Sequence, residues 1–257
     1  MTTAGPEQGE QVPQYVYGVT RPGVAVPEAL TGVADQPVRL IEHERCAAVA
    51  GDLPVQRPLG ERGDLVAHQR VLEAFLEAGG VVAPFRFGAV LAGPGAVREE
   101  LLAANAERLA EVLDHLDGRV ELRVRGTYVQ DAVLREALAE EPEIADLNDR
   151  IRRVPDGAAE AAHYDRVRLG EMIAQSLERR RDRDGQALLE ALAPAAEALV
   201  RKPPARQEDV VDAAFLVSRD RRDRFEGAVR DLGARHADRI TLRLIGPLPP
   251  YDFVPEA

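Results

Sequence analysis

Two octapeptides, RVELRVRG at Arg119–Gly126 and RITLRLIG at Arg239–Gly246, narrow the folds open to this chain. Each alternates apolar and polar positions with a period of two, the pattern of a strand with one buried face. In the first, Val120, Leu122 and Val124 share one face, and Glu121 and Arg123 the other. Each octapeptide follows an amphipathic helix, which itself follows a strand opening on Val-Val (Val81–Val82 and Val210–Val211). A strand–helix–strand unit used twice predicts a parallel pair joined by a crossover helix in each half of the chain. The expected class is therefore α+β, with two small domains of ferredoxin-like type. The plainer alternative is that amphipathic strands in an arginine-rich chain look alike without being a repeat.

The chain has 257 residues, 45% apolar and 30% charged, which suits one large or two ordinary globular domains. Trp is absent and aromatics are 4%, so the core must rest on Leu, Val and Ala. The net charge is −11, and the arginine runs Arg179–Arg183 and Arg219–Arg224 are interrupted by Asp182, Asp220 and Asp223. Nucleic acid is not expected as a partner, because a phosphate-binding face needs a basic surplus to displace counterions. No segment reaches the length of uncharged apolar sequence that a membrane span requires. The N-terminus lacks the basic start and apolar stretch of a secretory signal. The expectation is a cytoplasmic protein.

Residues 1–14 read as disordered, and Tyr15–Thr20 as the first strand. PVRLIEHE and CAAVAGDL are close enough to pair as a hairpin. A helix is expected over Leu65–Ala78, with Leu65, His68, Leu72, Phe75 and Leu76 on one stripe, and another over roughly Ala96–Leu116. Pro84 restricts VVAPFRFGAVL to an edge or a bend. Asp131–Val154 and Ala158–Leu199 read as helical, broken near Pro142, Pro155 and Pro194. Leu169, Met172, Ile173, Ser176 and Leu177 form a narrow stripe that predicts a protruding helical arm. VVDAAFLV reads as a strand, with Ser218 as an N-cap before the helix Arg219–Leu232. The domains are expected at residues 15–118 and 119–246, the second with long helices, followed by a proline-rich tail at 247–257.

No catalytic constellation emerges. The only serines, Ser176 and Ser218, stand outside any G-x-S-x-G elbow. The lone Cys46 lies in the apolar CAAVAG and has no cationic setting to make it a thiolate. The five histidines show no metal-ligand spacing, and His68, on its helix's apolar stripe, reads as a packing histidine. Gly93 and Gly95 precede a helix without a phosphate-loop signature. No catalytic residue, metal or cofactor is expected. Two stretches remain unusual. Phe85 and Phe87 flank Arg86, phenyl groups on one face and guanidinium on the other, as in an edge arginine or an interface anchor. LIGPLPPYDFV closes the chain with three prolines, a Tyr and a Phe where ends are usually polar and frayed.

YVYGV, VRLIEHERCAAVAGDLP, AHQRVLEAFLEAGGVVAPFRFGAVL, AAFLVSRDRRDRFEGAVRDL and LIGPLPPYDFV occur here in the order seen in the GvpF/GvpL gas-vesicle accessory proteins, which the chain resembles from Tyr15 onward. Phe85 stands where that family often has Leu or another bulky residue, and Leu248 where it often has Trp; both are apolar exchanges. The resemblance implies two α+β domains, the first modified ferredoxin-like. It also implies a non-enzymatic role in building gas vesicles, with the small hydrophobic shell protein and other accessory proteins as partners. The alternative is a ferredoxin-like regulator that binds a small molecule. Pro247, Pro249 and Pro250 favour an extended path, on which Tyr251 and Phe253 alternate with Asp252 and dock in an apolar groove, fixing the relation of the domains. Candidate interaction or docking residues are thus Phe85, Arg86, Phe87, Pro249, Pro250, Tyr251 and Phe253.

Overall fold

The computed structural model describes residues 12–54, 58–155, 163–206 and 208–255. The chain divides into two compact units, Met1–Glu121 with Pro247–Ala257, and Leu122–Gly246. Of the start expected to be disordered, residues 1–11 lie outside the described residues, and Gln14 already opens the first strand.

In the first unit, β1 (Gln14–Thr20) is the central strand and all seven of its residues are buried. Around it lie β2 (Val38–His43), β3 (Cys46–Asp52), β4 (Val82–Pro84) and β5 (Val90–Leu91), in the order β2-β3-β1-β4 with β5 also on β1. All these pairings are antiparallel, and β2 and β3 form the expected hairpin. The edge position of β4 suits Pro84, which has no N–H to give to a further strand. A register shift between Val16 and Gly18 kinks β1 where a Cβ on Gly18 would lie 2.5 Å from the Ala83 carbonyl oxygen.

Helix α1 (Arg62–Glu77) starts with a capping box between Glu61 and Asp64. It lays Val71, Leu72 and Phe75 into a core with Tyr15, Tyr17, Val49 and Val82. The second helix of this unit is less regular than its periodicity implies. A single turn α2 (Pro94–Ala96) runs into a π-helical turn at Val97–Leu102 and a 3₁₀ turn at Ala103–Asn105 before α3 (Ala106–Leu116). The class is α+β, as the sequence suggests. In the first unit three strands, β1, β2 and β3, precede the first helix.

The second unit takes its sheet from β6 (Arg119–Tyr128), β7 (Ala198–Arg201), β8 (Asp209–Ser218) and β9 (Ile240–Leu248), ordered β7-β8-β6-β9. The repeated strand–helix–strand unit does not give two parallel pairs. In its first copy the strands enter different sheets, β4 the first and β6 the second; in its second copy β6 lies between β8 and β9. Local periodicity dictates that a segment is a strand but not which neighbour it finds, so two similar octapeptides end side by side as β6 and β9.

Helices α4 (Gln130–Glu140), α5 (Pro142–Arg152) and α6 (His163–Leu192) follow β6. Pro142 occupies the first turn of α5, where its missing N–H costs nothing. The helix expected to reach Leu199 ends at Leu192; a 3₁₀ turn carrying Pro194 follows, and Ala198–Arg201 pair with β8 as β7. Here pairing overrides the helix propensity of an Ala-rich segment. Helix α6 packs on α4 and α5. Ser176 and Arg180 of α6 are buried, and Arg180 pairs with Glu140 at 2.8 Å and Glu141 at 3.2 Å.

The last helix, α7 (Arg222–Arg235), buries Phe225 against Phe215 of β8, ring centroids 5.0 Å apart. Helix α6 approaches β8 so closely that a Cβ on Gly185 would sit 2.6 Å from the Val210 carbonyl oxygen. A rigid backbone carbonyl has nowhere to move, so Gly185→Ala is expected to cost about 1–3 kcal/mol. Urea denaturation of the variant measures this loss; an unchanged midpoint would contradict the close approach.

Candidate functional site

In the first unit the chemistry collects around His68 of α1. Its imidazole is buried at 3% exposure and bonded on both nitrogens, Nδ1 at 2.9 Å from the Tyr15 hydroxyl and Nε2 at 2.9 Å from the Tyr251 hydroxyl. The Gly88 N–H donates to the Tyr15 hydroxyl at 3.1 Å, so a chain of hydrogen bonds runs from backbone through Tyr15 and His68 to Tyr251. Tyr17, bonded by the Val33 N–H at 2.7 Å, and Phe87 complete an aromatic cage with ring centroids 5.6 and 5.8 Å from the imidazole. Gly32 makes room for it, since a Cβ there would fall 1.9 Å from the Tyr17 hydroxyl.

Burial sets the protonation states. It pushes the Tyr17 and Tyr251 hydroxyls up to about 12 and raises Tyr15 further, so all three stay neutral. It lowers the His68 pKa, an effect the Phe85 carbonyl only partly offsets. A neutral imidazole donates from one nitrogen and accepts at the other, which fits a ring held between two hydroxyls. An unfolded histidine titrates near 6.5. Below that pH the unfolded chain takes up a proton that native His68 refuses, so this residue's share of stability is lost as pH falls through 6.5 toward its folded pKa. Urea midpoints at pH 7.5 and 5.5 are expected to drop further in the wild type than in His68→Gln. Equal drops would contradict a neutral buried imidazole.

The candidate residues distribute unequally around this cage. Phe87 and Tyr251 are partly buried and pack against the core. Phe85 is half-buried, its N–H extending the β1–β4 ladder to the Tyr17 carbonyl at 2.8 Å, while Arg86 is exposed. Pro249 and Pro250 are buried and Phe253 is half-buried. The tail is not extended to its end. Tyr251–Phe253 form a 3₁₀ turn, with the Tyr251 N–H bonded to the Pro249 carbonyl and the Phe253 N–H to the Pro250 carbonyl. The turn carries the Asp252 N–H to the Glu121 carboxylate at 3.2 Å. Tyr15, Tyr17 and Glu121 were not singled out by sequence; the alternation of YVYGV, which puts two tyrosines on one face, was the available signal.

The second unit offers a different surface. Strand β9 is an edge of its sheet, and between it and α7 runs a groove of about 410 Å³. Val229, Gly233, Leu242 and Leu244 supply its apolar lining, with Glu226 and Arg230 alongside.

The residues weighed for catalysis are otherwise engaged. The Ser176 hydroxyl bonds Glu141 and that of Ser218 bonds Asp220, while burial raises the Cys46 thiol pKa. Among the described residues no group of three or more His, Cys, Asp or Glu is placed to hold a metal ion. Among them, too, no helix is long and apolar enough to cross a membrane.

Comparison with known proteins matches residues 13–255 to the family described as gas vesicle synthesis protein GvpL/GvpF. Gas vesicle protein F of Streptomyces sp. (strain CB03234) is 38% identical over 246 residues, covering 93% of this chain and 98% of that protein. Gas vesicle protein L of the same strain is 30% identical over 268 residues, covering 93% and 92%. The crystal structure of GvpF from Anabaena sp. PCC7120 superposes with a TM-score of 0.82 at 22% identity, over 96% of this chain and 100% of that one. The chain belongs to the GvpL/GvpF family of gas vesicle proteins.

Proposed function

We propose that this gas vesicle accessory protein acts without catalysis, binding the hydrophobic shell protein and other gas vesicle proteins while vesicles form. The observation that carries the reading is the β9 edge with its apolar groove against α7. A free edge offers unpaired N–H and C=O groups to an incoming strand, and an adjacent apolar groove accepts that strand's side chains. A shell subunit is hydrophobic and prone to self-association, so a partner with this surface shields it during delivery. The net charge of −11 keeps such a carrier soluble and apart from its own copies. On this reading the protein works in the cytoplasm, in association with growing vesicles.

The test is affinity capture of shell protein by the tagged chain, compared with Leu242→Asp and Leu244→Asp. Leu242 and Leu244 are half-buried, so an aspartate there reaches water without breaking the fold and places a charge in the groove. Capture is expected to fall about tenfold, the effect of roughly 1.4 kcal/mol. Undiminished capture by both variants would remove the groove from the reading.

A further inference from the structure

Strand β9 brings two different faces to its open edge. Leu242 and Leu244 turn toward α7 and line the groove, while Arg243 between them points to the opposite face, because side chains alternate along a strand. Among the described residues the backbone of Thr241–Gly246 makes no hydrogen bond outside its own sheet. Pro247 then has no N–H to offer, which bounds the edge open to a further strand. The charges beside this stretch are unequal. Glu226, a carboxylate lining the groove, is taken by Arg222 at 2.6 Å. Arg230, on the α7 side of the groove, and Arg243 are both exposed, and neither forms a hydrogen bond or ion pair among the described residues.

We propose that the β9 edge takes an extended segment in which apolar and acidic residues alternate, with apolar side chains opposite Leu242 and Leu244 and a carboxylate opposite Arg243. Residues that face each other across a strand pair lie on the same side of the sheet. An added strand therefore sends the two neighbours of its central residue into the groove and the central residue itself to Arg243. A neutral residue there leaves the guanidinium without an acceptor, and a basic one meets it as a like charge, which is destabilising. The net charge of −11 does not reverse this preference. Exposed charges are screened over about 8 Å at physiological salt, so the guanidinium directly across outweighs distant carboxylates. The inference rests on the reading of the β9 edge as the binding surface and adds the chemistry of the segment that it selects.

The test uses the full chain and the synthetic peptide SGTVEVTGS, capped at both ends, whose valines flank a central glutamate. At millimolar concentration the peptide is expected to slow amide hydrogen exchange within Thr241–Ile245 and to leave β7, the other edge of the sheet, unchanged. The lysine peptide SGTVKVTGS is expected to bind about fivefold more weakly, the span of a cross-strand charge pair. Arg243 is exposed, so Arg243→Glu keeps the fold, and in that variant the order of the two peptides is expected to reverse. Unchanged exchange within Thr241–Ile245 overturns the added strand. Equal binding of the two peptides, or an order that Arg243→Glu leaves in place, overturns the acidic preference. The assay contains no shell protein, so failure here leaves the capture experiment standing, and failed capture leaves this result standing.

Discussion

Replacing Tyr251 with alanine is expected to lower the stability of the first unit by about 2–4 kcal/mol. Truncating a large buried aromatic side chain costs about 3–5 kcal/mol, and Tyr251 is only half-buried, which places it toward the lower part of that range. The hydroxyl adds a further contribution, because its loss strips His68 Nε2 of its partner inside the core. Tyr251→Phe isolates that contribution and is expected to cost about 1–2 kcal/mol. Near-ultraviolet circular dichroism suits the measurement. Trp is absent, and three of the five tyrosines, Tyr15, Tyr17 and Tyr251, meet around His68. At about 2–4 °C per kcal/mol for a chain of this size, the alanine variant melts roughly 4–16 °C lower. A melting curve matching the wild type would show that the tail contributes nothing.

The second large effect belongs to Asp184 in the second unit. This carboxylate on α6 is 9% exposed and accepts from the Tyr128 hydroxyl at 2.5 Å, while the Arg239 guanidinium lies 2.6 Å away. Arg239 in turn pairs with Glu136 of α4 at 2.6 Å and lies over the Tyr128 ring, so one network joins α4, α6, β6 and the start of β9. Burial alone would raise the Asp184 pKa; the bonds from Arg239 and Tyr128 outweigh it and hold the carboxyl below its ordinary value. Asp184→Ala leaves a phenol without its acceptor and a guanidinium with one carboxylate in place of two. Removing one partner of a buried pair costs about 3–5 kcal/mol, and the solvent access of Arg239 brings the expectation to about 3.

The sign of the pH dependence follows. An unfolded aspartate titrates near 3.9, so the stabilisation from Asp184 is present above that value and lost as pH falls through the lower folded pKa. Urea titrations of wild type and Asp184→Asn at pH 7 and pH 3 are expected to converge at the lower pH. A gap that persists undiminished at pH 3 would contradict the charged network.

Much of this was legible in the residues where a signal is local. The stripe through His68, Leu72 and Phe75 gives α1 its buried face. What escaped was information that only pairing supplies. RVELRVRG and RITLRLIG are both strands of one sheet, yet their adjacency as β6 and β9 depends on contacts between distant segments. Ala198 and Leu199 read as helix until β8 claims them within β7. The tail's final turn is not legible in the residues, because prolines favour an extended path, while the Pro249 and Pro250 carbonyls accept the bonds that curl Tyr251–Phe253. The partner of His68 was out of reach in sequence, since Tyr251 stands 183 positions away.

Co-expression of the shell protein with and without this chain tests the account most directly. With the chain present, shell protein is expected to move from the pellet into the soluble fraction and to elute with the chain in a fixed ratio. Shell protein that pellets to the same extent in both cultures would contradict the account.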